Sequence, residues 1–299
     1  MCGVSGILKF KTTACSSAAL ETMRDEVSYR GPDDSGSVYF RSDGTILKSI
    51  ERNSSNWVLG LGHRRLSILD LSPLGHQPMS YENDRYWTVY NGEVYNYVEL
   101  RDELIRAGRS FRSSSDTEVI LAAFAEWGTS CFRRFRGMWG LILFDAVRRE
   151  IILSRDHIGI KPLYLWKGNG LVAVASEIKQ FRNVPGFRAK LDDQAGMEYL
   201  QTGYEDPERT FFEGVTPVPA GHWIRISLDE CRVSNPEEYW HPERVQVQVT
   251  DSQEAASLFA EKLRECVRIH LRSDVPVGCA LSGGMDSSSI AILIDLQNK

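Results

Sequence analysis

The sequence predicts an α+β fold, with a strand-rich front part crossed by two or three helices and a helical tail. Three observations point there. Short apolar runs of strand character recur through the first 180 residues. Between them, apolar residues repeat at helical spacing, as at Ile120, Ala123, Phe124 and Trp127. From about residue 205 the texture changes: Pro207, Pro217, Pro219 and Pro236, with Gly214 and Gly221 between them, punctuate the chain as far as about Thr250.

Taken in order, residues 2–8 alternate apolar and small side chains and read as a strand. A helix follows, capped near Ser16 or Ser17 and stopped by Gly31-Pro32. "WVLGLGHRRLSILDLS" has strand-like segments, and "RYWTVYNGEVYNY" reads as a hairpin turning at Asn91-Gly92. "YVELRDELIRAG" and "SDTEVILAAFAEWG" read as helices, the second capped by Asp116. "GMWGLILFDAVRREIILSRD" reads as two strands around a short turn, and "PLYLW" and "GLVAVAS" as two more. Residues 206–250 read as a tethered connection. Beyond them, "DSQEAASLFAEKLRECVRIHLRS" is a long amphipathic helix with Ala255, Phe259, Leu263, Cys266 and Val267 on one stripe. "VPVGCALSGGMDSSSIAILIDLQNK" then reads as a buried strand, a glycine turn and a helix start.

With 299 residues, 42% hydrophobic and 25% charged, the chain has room for one large domain or two ordinary ones. A net charge of −5 argues against a nucleic-acid partner. No apolar run approaches the ~20 residues needed to cross a bilayer. The amino-terminal stretch has no basic-then-apolar signal, which points to the cytoplasm. The six cysteines are widely spaced with no CxxC, so no metal site is expected, and most read as small buried apolar residues. Cys2 is the exception by position. Removal of Met1 leaves a cysteine with a thiol and a free α-amine, nucleophile and base on one residue.

Other stretches supply groups that suit such a nucleophile. Arg64 and Arg65 offer guanidinium groups for an α-carboxylate. Asn91 and Gly92 offer a side-chain amide and an unshielded backbone N–H, two donors of the kind that stabilise an oxyanion. Glu93 and Asp116 offer carboxylates for an ammonium. Together they fit an amino acid with an acyl side chain, glutamine above all. Each piece also has a plainer explanation: a small residue that permits Met1 removal, a hairpin turn, solvated arginines, a helix cap. Spacing alone does not bring them together.

The motifs do. "MCGVSGI", "SYRGPDDSG", "GLGHRRLSILDLSPLGHQPM", "YNGEVYNYVELR", "FRSSSDTEVILAAFAEWG", "FRGMWGLILFD", "LSRDHIGIKPLY", "ASEIKQF" and "LSGGMDSS" cover most of residues 1–181 and recur at 277–289. The chain resembles the glutamine-dependent asparagine synthetases of the bacterial type. The resemblance implies an N-terminal-nucleophile hydrolase fold in the front half, an αββα sandwich of two antiparallel sheets acting as a class II glutamine amidotransferase over residues 2–205. After a 206–250 linker it implies the start of a nucleotide-binding α/β domain over 251–299. Carried over, Cys2 is the nucleophile that forms a γ-glutamyl thioester. Arg65 binds the glutamine carboxylate, and Leu66, Ser67, Ile68 and Leu69 match a strand lining the pocket. Asn91 and Gly92 form the oxyanion hole, while Glu93 and Asp116 grip the polar end. Arg30 and Gly31 match a motif near the nucleophile, and Arg64 reads as supporting structure.

"LSGGMDSSS" lacks the Gly-Lys-Ser/Thr ending of the ordinary P-loop and resembles the pyrophosphate loop of ATP pyrophosphatases. Ser282, Gly283, Gly284, Asp286 and Ser287 would hold the pyrophosphate of ATP, with Asp286 near Mg²⁺ and Ala280 and Leu281 beside the nucleotide. The plainer reading is a glycine turn with a helix cap. The family reaction joins the two sites: ammonia from glutamine attacks an aspartyl adenylate, giving asparagine, glutamate, AMP and pyrophosphate. Only the first unit of the second domain is present here. The expectation is therefore a chain competent at most for glutamine hydrolysis, poorly packed from about residue 250 unless a second copy or a complementing synthetase chain completes it. The alternatives are a related synthetase with a different acceptor and a non-catalytic remnant.

Overall fold

Strand β1 (Gly3–Lys9) is buried along its whole length, which requires a layer against each of its faces. The computed structural model describes residues 1–10, 13–51, 53–244 and 251–297. In chain order after β1 come α1 (Ser17–Asp25), β2 (Asp34–Phe40), β3 (Ile46–Leu47), β4 (Leu59–Arg65), β5 (Met79–Tyr81) and β6 (Tyr86–Val94). Then follow α2 (Tyr97–Arg106), α3 (Asp116–Trp127), β7 (Gly137–Asp145), β8 (Glu150–Arg155), β9 (Tyr164–Gly168), β10 (Leu171–Ala175) and α4 (Asp193–Thr202). The remainder is β11 (Val215–Pro217), β12 (His222–Ser227), β13 (Arg232–Val233), β14 (Glu237–Glu238), α5 (Ser252–His270) and α6 (Met285–Gln297).

The strands form two antiparallel sheets, ordered β11-β9-β10-β1-β4-β2-β3 and β13-β12-β8-β7-β6-β5, with β14 beside β12. Alternation along each strand sorts its residues between layers. Val4 and Leu8 of β1 meet Ile142 and Phe144 of β7 and Leu153 of β8 in a core between the sheets. Ile7 of β1 points the other way and packs with Leu20 and Met23 of α1. On the outer face of the second sheet, Tyr90, Trp139 and Leu141 pack against Leu100 and Leu104 of α2 and Val119–Ala123 of α3. Helix, sheet, sheet, helix is the expected sandwich. Each fully buried Leu or Phe in these layers contributes about 2 kcal/mol.

Four expectations fail locally. Asn91-Gly92 is no turn: β6 runs straight through it, paired to β7 from Tyr86↔Asp145 to Val94↔Gly137. A type I′ turn needs φ > 0 at both residues, and neither Asn91 nor Gly92 has it. The glycine serves close approach instead, since a Cβ there would lie 2.1 Å from the carbonyl oxygen of Met138. The first helix stops at Asp25, and a 3₁₀ turn over Ser28–Arg30 intervenes before Gly31-Pro32. The cap of α3 is Ser115, whose hydroxyl accepts from Thr117 N–H; Asp116 is the first helical residue and turns inward. Part of the stretch expected as a connection is woven into both sheets, through β11 on β9 and β12 on β8. Its Pro217 ends an edge strand, where a missing N–H costs little; residues 245–250 lie outside the described residues.

The tail departs further. Of residues 251–297 only Val267 and Ile269 are buried, so of the expected α5 stripe Val267 alone is covered and Phe259 is 68% exposed. "VPVGCAL" forms no strand and is exposed, because no described strand lies beside it to pair. Among the cysteines, Cys15 and Cys131 are buried, whereas Cys231, Cys266 and Cys279 are exposed. No helix among the described residues is long and apolar enough to cross a membrane.

Candidate active site

The start of β1, the end of β4, the middle of β6 and the first turn of α3 converge on a cavity of about 280 Å³. Cys2, Arg65, Leu66, Ile68, Leu69, Asn91, Gly92, Glu93 and Asp116 all line it. Of the residues expected there, Ser67 alone stands off the wall; its N–H donates to Asp33 Oδ2 at 2.7 Å. Residues 66–69 are a bend after β4 rather than a strand, because β4 ends at Arg65.

Cys2 is half-buried in the loop before β1. Its sulfur accepts from Leu66 N–H at 3.4 Å, and its carbonyl accepts from Arg30 Nε at 2.9 Å. Arg30 is held in turn by Glu177 at 2.7 Å. Burial pushes the Cys2 thiol up, while the Leu66 N–H, the terminal amine and Arg65 draw it back. Met1 also lines the cavity, with its sulfur 3.7 Å from Arg30 Nη2.

Neighbouring residues on β4 point to opposite faces, which separates the two arginines. Arg64 turns out to Asp25 at 2.8 Å, a supporting ion pair. Arg65 turns in, buried, and donates to the carbonyls of Leu69 (3.0 Å), Asp70 (2.6 Å) and Ser72 (3.4 Å). These bonds use three of its five donors and fold the 66–72 bend around the guanidinium. A Cβ on Gly75 would lie 1.9 Å from Arg65 Nη2, so only glycine fits there.

Opposite stands β6. Tyr90 is fixed on every side: its N–H donates to Gln77 Oε1 (2.7 Å), its carbonyl accepts from His63 Nε2 (2.9 Å), and its hydroxyl donates to Asp116 Oδ2 (2.9 Å). His63 is wholly buried and pushed down to about 3, so it is neutral and ties the two sheets together behind the cavity. Next to Tyr90, the Asn91 Nδ2 amide is buried with no hydrogen-bond partner among the described residues. A buried donor left unpaired costs about 1–3 kcal/mol, and here it faces the cavity that also holds the thiol. Asp116 further accepts from Val94 N–H at 3.0 Å, pinning the start of α3 to β6. Burial raises the Asp116 carboxyl despite these bonds. Glu93 is pushed up to about 7 by burial and by the Asp116 carboxylate, with Lys161 opposing. Two desolvated carboxylates, the Asp116 charge raising Glu93, make a wall that favours a cation.

The sequence reading missed Gln77, Tyr90, Ser115, Thr117, Met138 and Lys161, all on the cavity wall. Tyr90 adjoins Asn91 and was open to inference. Lys161, a lone cation amid the "HIGIKPLYLW" run, carried a signal of its own. The glycine loop lies elsewhere, in the exposed tail. There Ser282 and Ser287 hydroxyls pair at 3.0 Å, Gly284 N–H donates to Ser282 Oγ at 3.4 Å, and Gly283 has φ +81°. Gly284 immediately precedes α6 and Asp286 lies in its first turn, while Ala280 and Leu281 stand exposed before it. A small-residue loop at the start of a thirteen-residue helix presents N–H groups of the kind that suit an anion.

Residues 1–240 match the family model described as a glutamine amidotransferase domain, and residues 258–299 match the one described as asparagine synthase. The chain is 32% identical to a putative glutamine-hydrolysing asparagine synthetase of Methanocaldococcus jannaschii, over 97% of this chain and 56% of that protein. It is 36% identical to another of Mycobacterium bovis, over 94% of this chain and 42% of that one. The chain thus spans about half the length of the curated relatives it matches. Among solved structures, the glutamine phosphoribosylpyrophosphate amidotransferase of B. subtilis, complexed with ADP and GMP, superposes with a TM-score of 0.54 at 19% identity. That match covers 80% of this chain and 49% of the other, and it shows a shared fold.

Proposed function

This chain belongs to the glutamine amidotransferase family, and on that footing we propose that its cavity hydrolyses the carboxamide of glutamine with Cys2 as nucleophile. The observation that carries the proposal is the unpartnered, buried Asn91 Nδ2 facing the cavity that holds the Cys2 thiol. A donor kept dry and unpaired is pre-organised for charge that develops during the reaction. Arg65 takes the substrate carboxylate with its uncommitted donors, and Glu93 and Asp116 receive the α-ammonium. With Met1 removed, the α-amine of Cys2 accepts the thiol proton. The thiolate attacks the carboxamide carbon, and Asn91 with Gly92 N–H stabilises the oxyanion. The C–N bond then breaks and ammonia leaves with that proton. Water hydrolyses the thioester to glutamate, returning the thiol. The catalytic unit runs from Cys2 to about residue 240, including the strands of 215–238.

We further propose that in the complete protein this ammonia amidates aspartate activated by ATP, with the 282–287 loop taking the pyrophosphate. Bound Mg²⁺ would neutralise pyrophosphate charge beside Asp286. The match of residues 258–299 supports this reading. Glutamate release tests the first half. Wild type, with Met1 absent by intact mass, turns over glutamine, and Cys2→Ala lowers the rate by about a thousandfold or more. Turnover that survives Cys2→Ala overturns the proposal.

A further inference from the structure

One cation on the cavity wall has no task in that scheme. Lys161 is 7% exposed and lines the cavity, yet its ammonium makes no hydrogen bond or ion pair with any described residue. Its backbone, by contrast, is held by two charged side chains. The fully buried Asp156 carboxylate accepts from the N–H groups of Trp139 (3.1 Å), Ile158 (3.3 Å), Ile160 (2.9 Å) and Lys161 (2.9 Å). The Arg155 guanidinium donates to the carbonyls of Lys161 (2.9 Å), Gly159 (2.8 Å) and Val218 (3.0 Å). A rigid loop therefore aims an unpaired ammonium into a half-closed cavity. A desolvated charge without a partner is costly, and it is tolerated where the reaction supplies the opposite charge.

The other cations near the thiol already have partners, and the remaining donors of Arg65 are reserved for the substrate carboxylate. Arg30 serves the Cys2 carbonyl and Glu177, and Arg65 serves three carbonyls of the 69–72 bend. Glu93 lies opposite Lys161, but its carboxyl is half-protonated near neutral pH and offers an incomplete counter-charge. We propose that Lys161 is a positioning residue for the nucleophile, its ammonium stabilising the Cys2 thiolate that forms as the α-amine takes the thiol proton. Burial lowers Lys161 itself, Arg30 lowers it further, and Glu93 and Cys2 oppose that shift. The charged groups around the thiol and Lys161 are the terminal amine, Asp33 and Arg30 beyond α1, Arg65 on β4, Glu93 on β6, Asp116 on α3 and the buried Asp156 after β8.

The inference rests on Cys2 as nucleophile, so the test reads the thiol without glutamine. Iodoacetamide alkylation of Cys2 is followed from pH 5 to 10 by mass spectrometry of the amino-terminal peptide. Lys161→Gln is expected to move the apparent pKa of alkylation up by about one unit, with Lys161→Arg superposing on wild type. The acid limb of kcat/KM for glutamine moves with it. A Lys161→Gln profile that overlays wild type, or an Arg variant displaced as far as the Gln variant, overturns the proposal. Should Lys161→Gln not fold, Lys161→Met replaces it, and coincident Met and Arg profiles overturn the proposal equally. A displaced alkylation profile alongside full turnover by Cys2→Ala would sink the glutaminase reading and leave the Lys161–thiol coupling standing.

Discussion

Helices α3 and α6 are both apolar and of nearly equal length, twelve and thirteen residues, yet α3 buries eight of its residues and α6 none. The difference lies in what each finds beside it. α3 packs on the outer face of the second sheet, where Tyr90 of β6 and Trp139 and Leu141 of β7 await it. α6 touches α5, where Gln297 Nε2 donates to the Arg264 carbonyl at 3.0 Å, and Met285 stays 84% exposed. Apolar composition makes a helix eligible for burial, and a sheet face makes the burial happen. The same contrast separates residues 1–244 from 251–297 as wholes. The two regions meet at a seam. Arg272 reaches the Tyr95 carbonyl (2.5 Å) and Glu99 (2.6 Å), holding the Glu99 carboxyl down to about 2, and His270 stacks on Tyr95 at 3.8 Å. Asp274 N–H donates to the Ile68 carbonyl at 3.0 Å, and its carboxylate accepts from Asp70 N–H at 2.7 Å, both on the bend that lines the cavity.

The largest expected effect is in limited proteolysis. Trypsin should cut the tail, at Lys262 and Arg264 first, at least about a hundredfold faster than any site in β1–β10, because exposing the sandwich requires global opening. Comparable rates would erase the contrast. Point truncations sharpen it. Trp139→Ala, in the wholly buried layer under α3, should cost about 3–5 kcal/mol in chemical denaturation. Ile292→Ala on α6 should stay within about 0.5 kcal/mol.

A pH series separates the cavity from the rest of the front region. Glu93 titrates near 7 when folded against an ordinary 4.5, so the folded state binds its proton more tightly and stability falls as pH rises through that window. At about 1.4 kcal/mol per unit the loss is no more than about 3 kcal/mol. Denaturation at pH 5 and pH 8 should show Glu93→Gln losing less than wild type; equal losses would place the proton elsewhere. The smallest effect is at the seam. Asp274→Ala removes one bond to Asp70 N–H, about 1 kcal/mol, and should speed hydrogen exchange of that amide by about fivefold while leaving amides of β7 unchanged.

Much of this was legible in advance. Strand β1, the β7–β8 hairpin, α2 and α3 follow from alternation and helical spacing, patterns that survive any context. Family motifs then brought Cys2, Arg65, Asn91, Gly92, Glu93 and Asp116 to one cavity. What escaped were features set by a partner distant in the chain. Asn91-Gly92 has the composition of a turn, and β7 alongside made it a strand. "VPVGCAL" has the composition of a buried strand, and without a neighbour it is none. Lys161 was legible as a lone cation but not as a neighbour of Cys2, because 158 residues of intervening chain separate two groups that only the fold brings to one cavity wall.

Residue types at short range thus carried the layer pattern, since propensity and periodicity act over a few neighbours, and the family motifs carried the set of residues around the cavity. The three-dimensional arrangement alone settled which turn became a strand, which apolar helix found cover, and which cation shares the cavity wall with Cys2. Pairing, burial and desolvation depend on what lies across a gap in space, and a linear string does not record that distance.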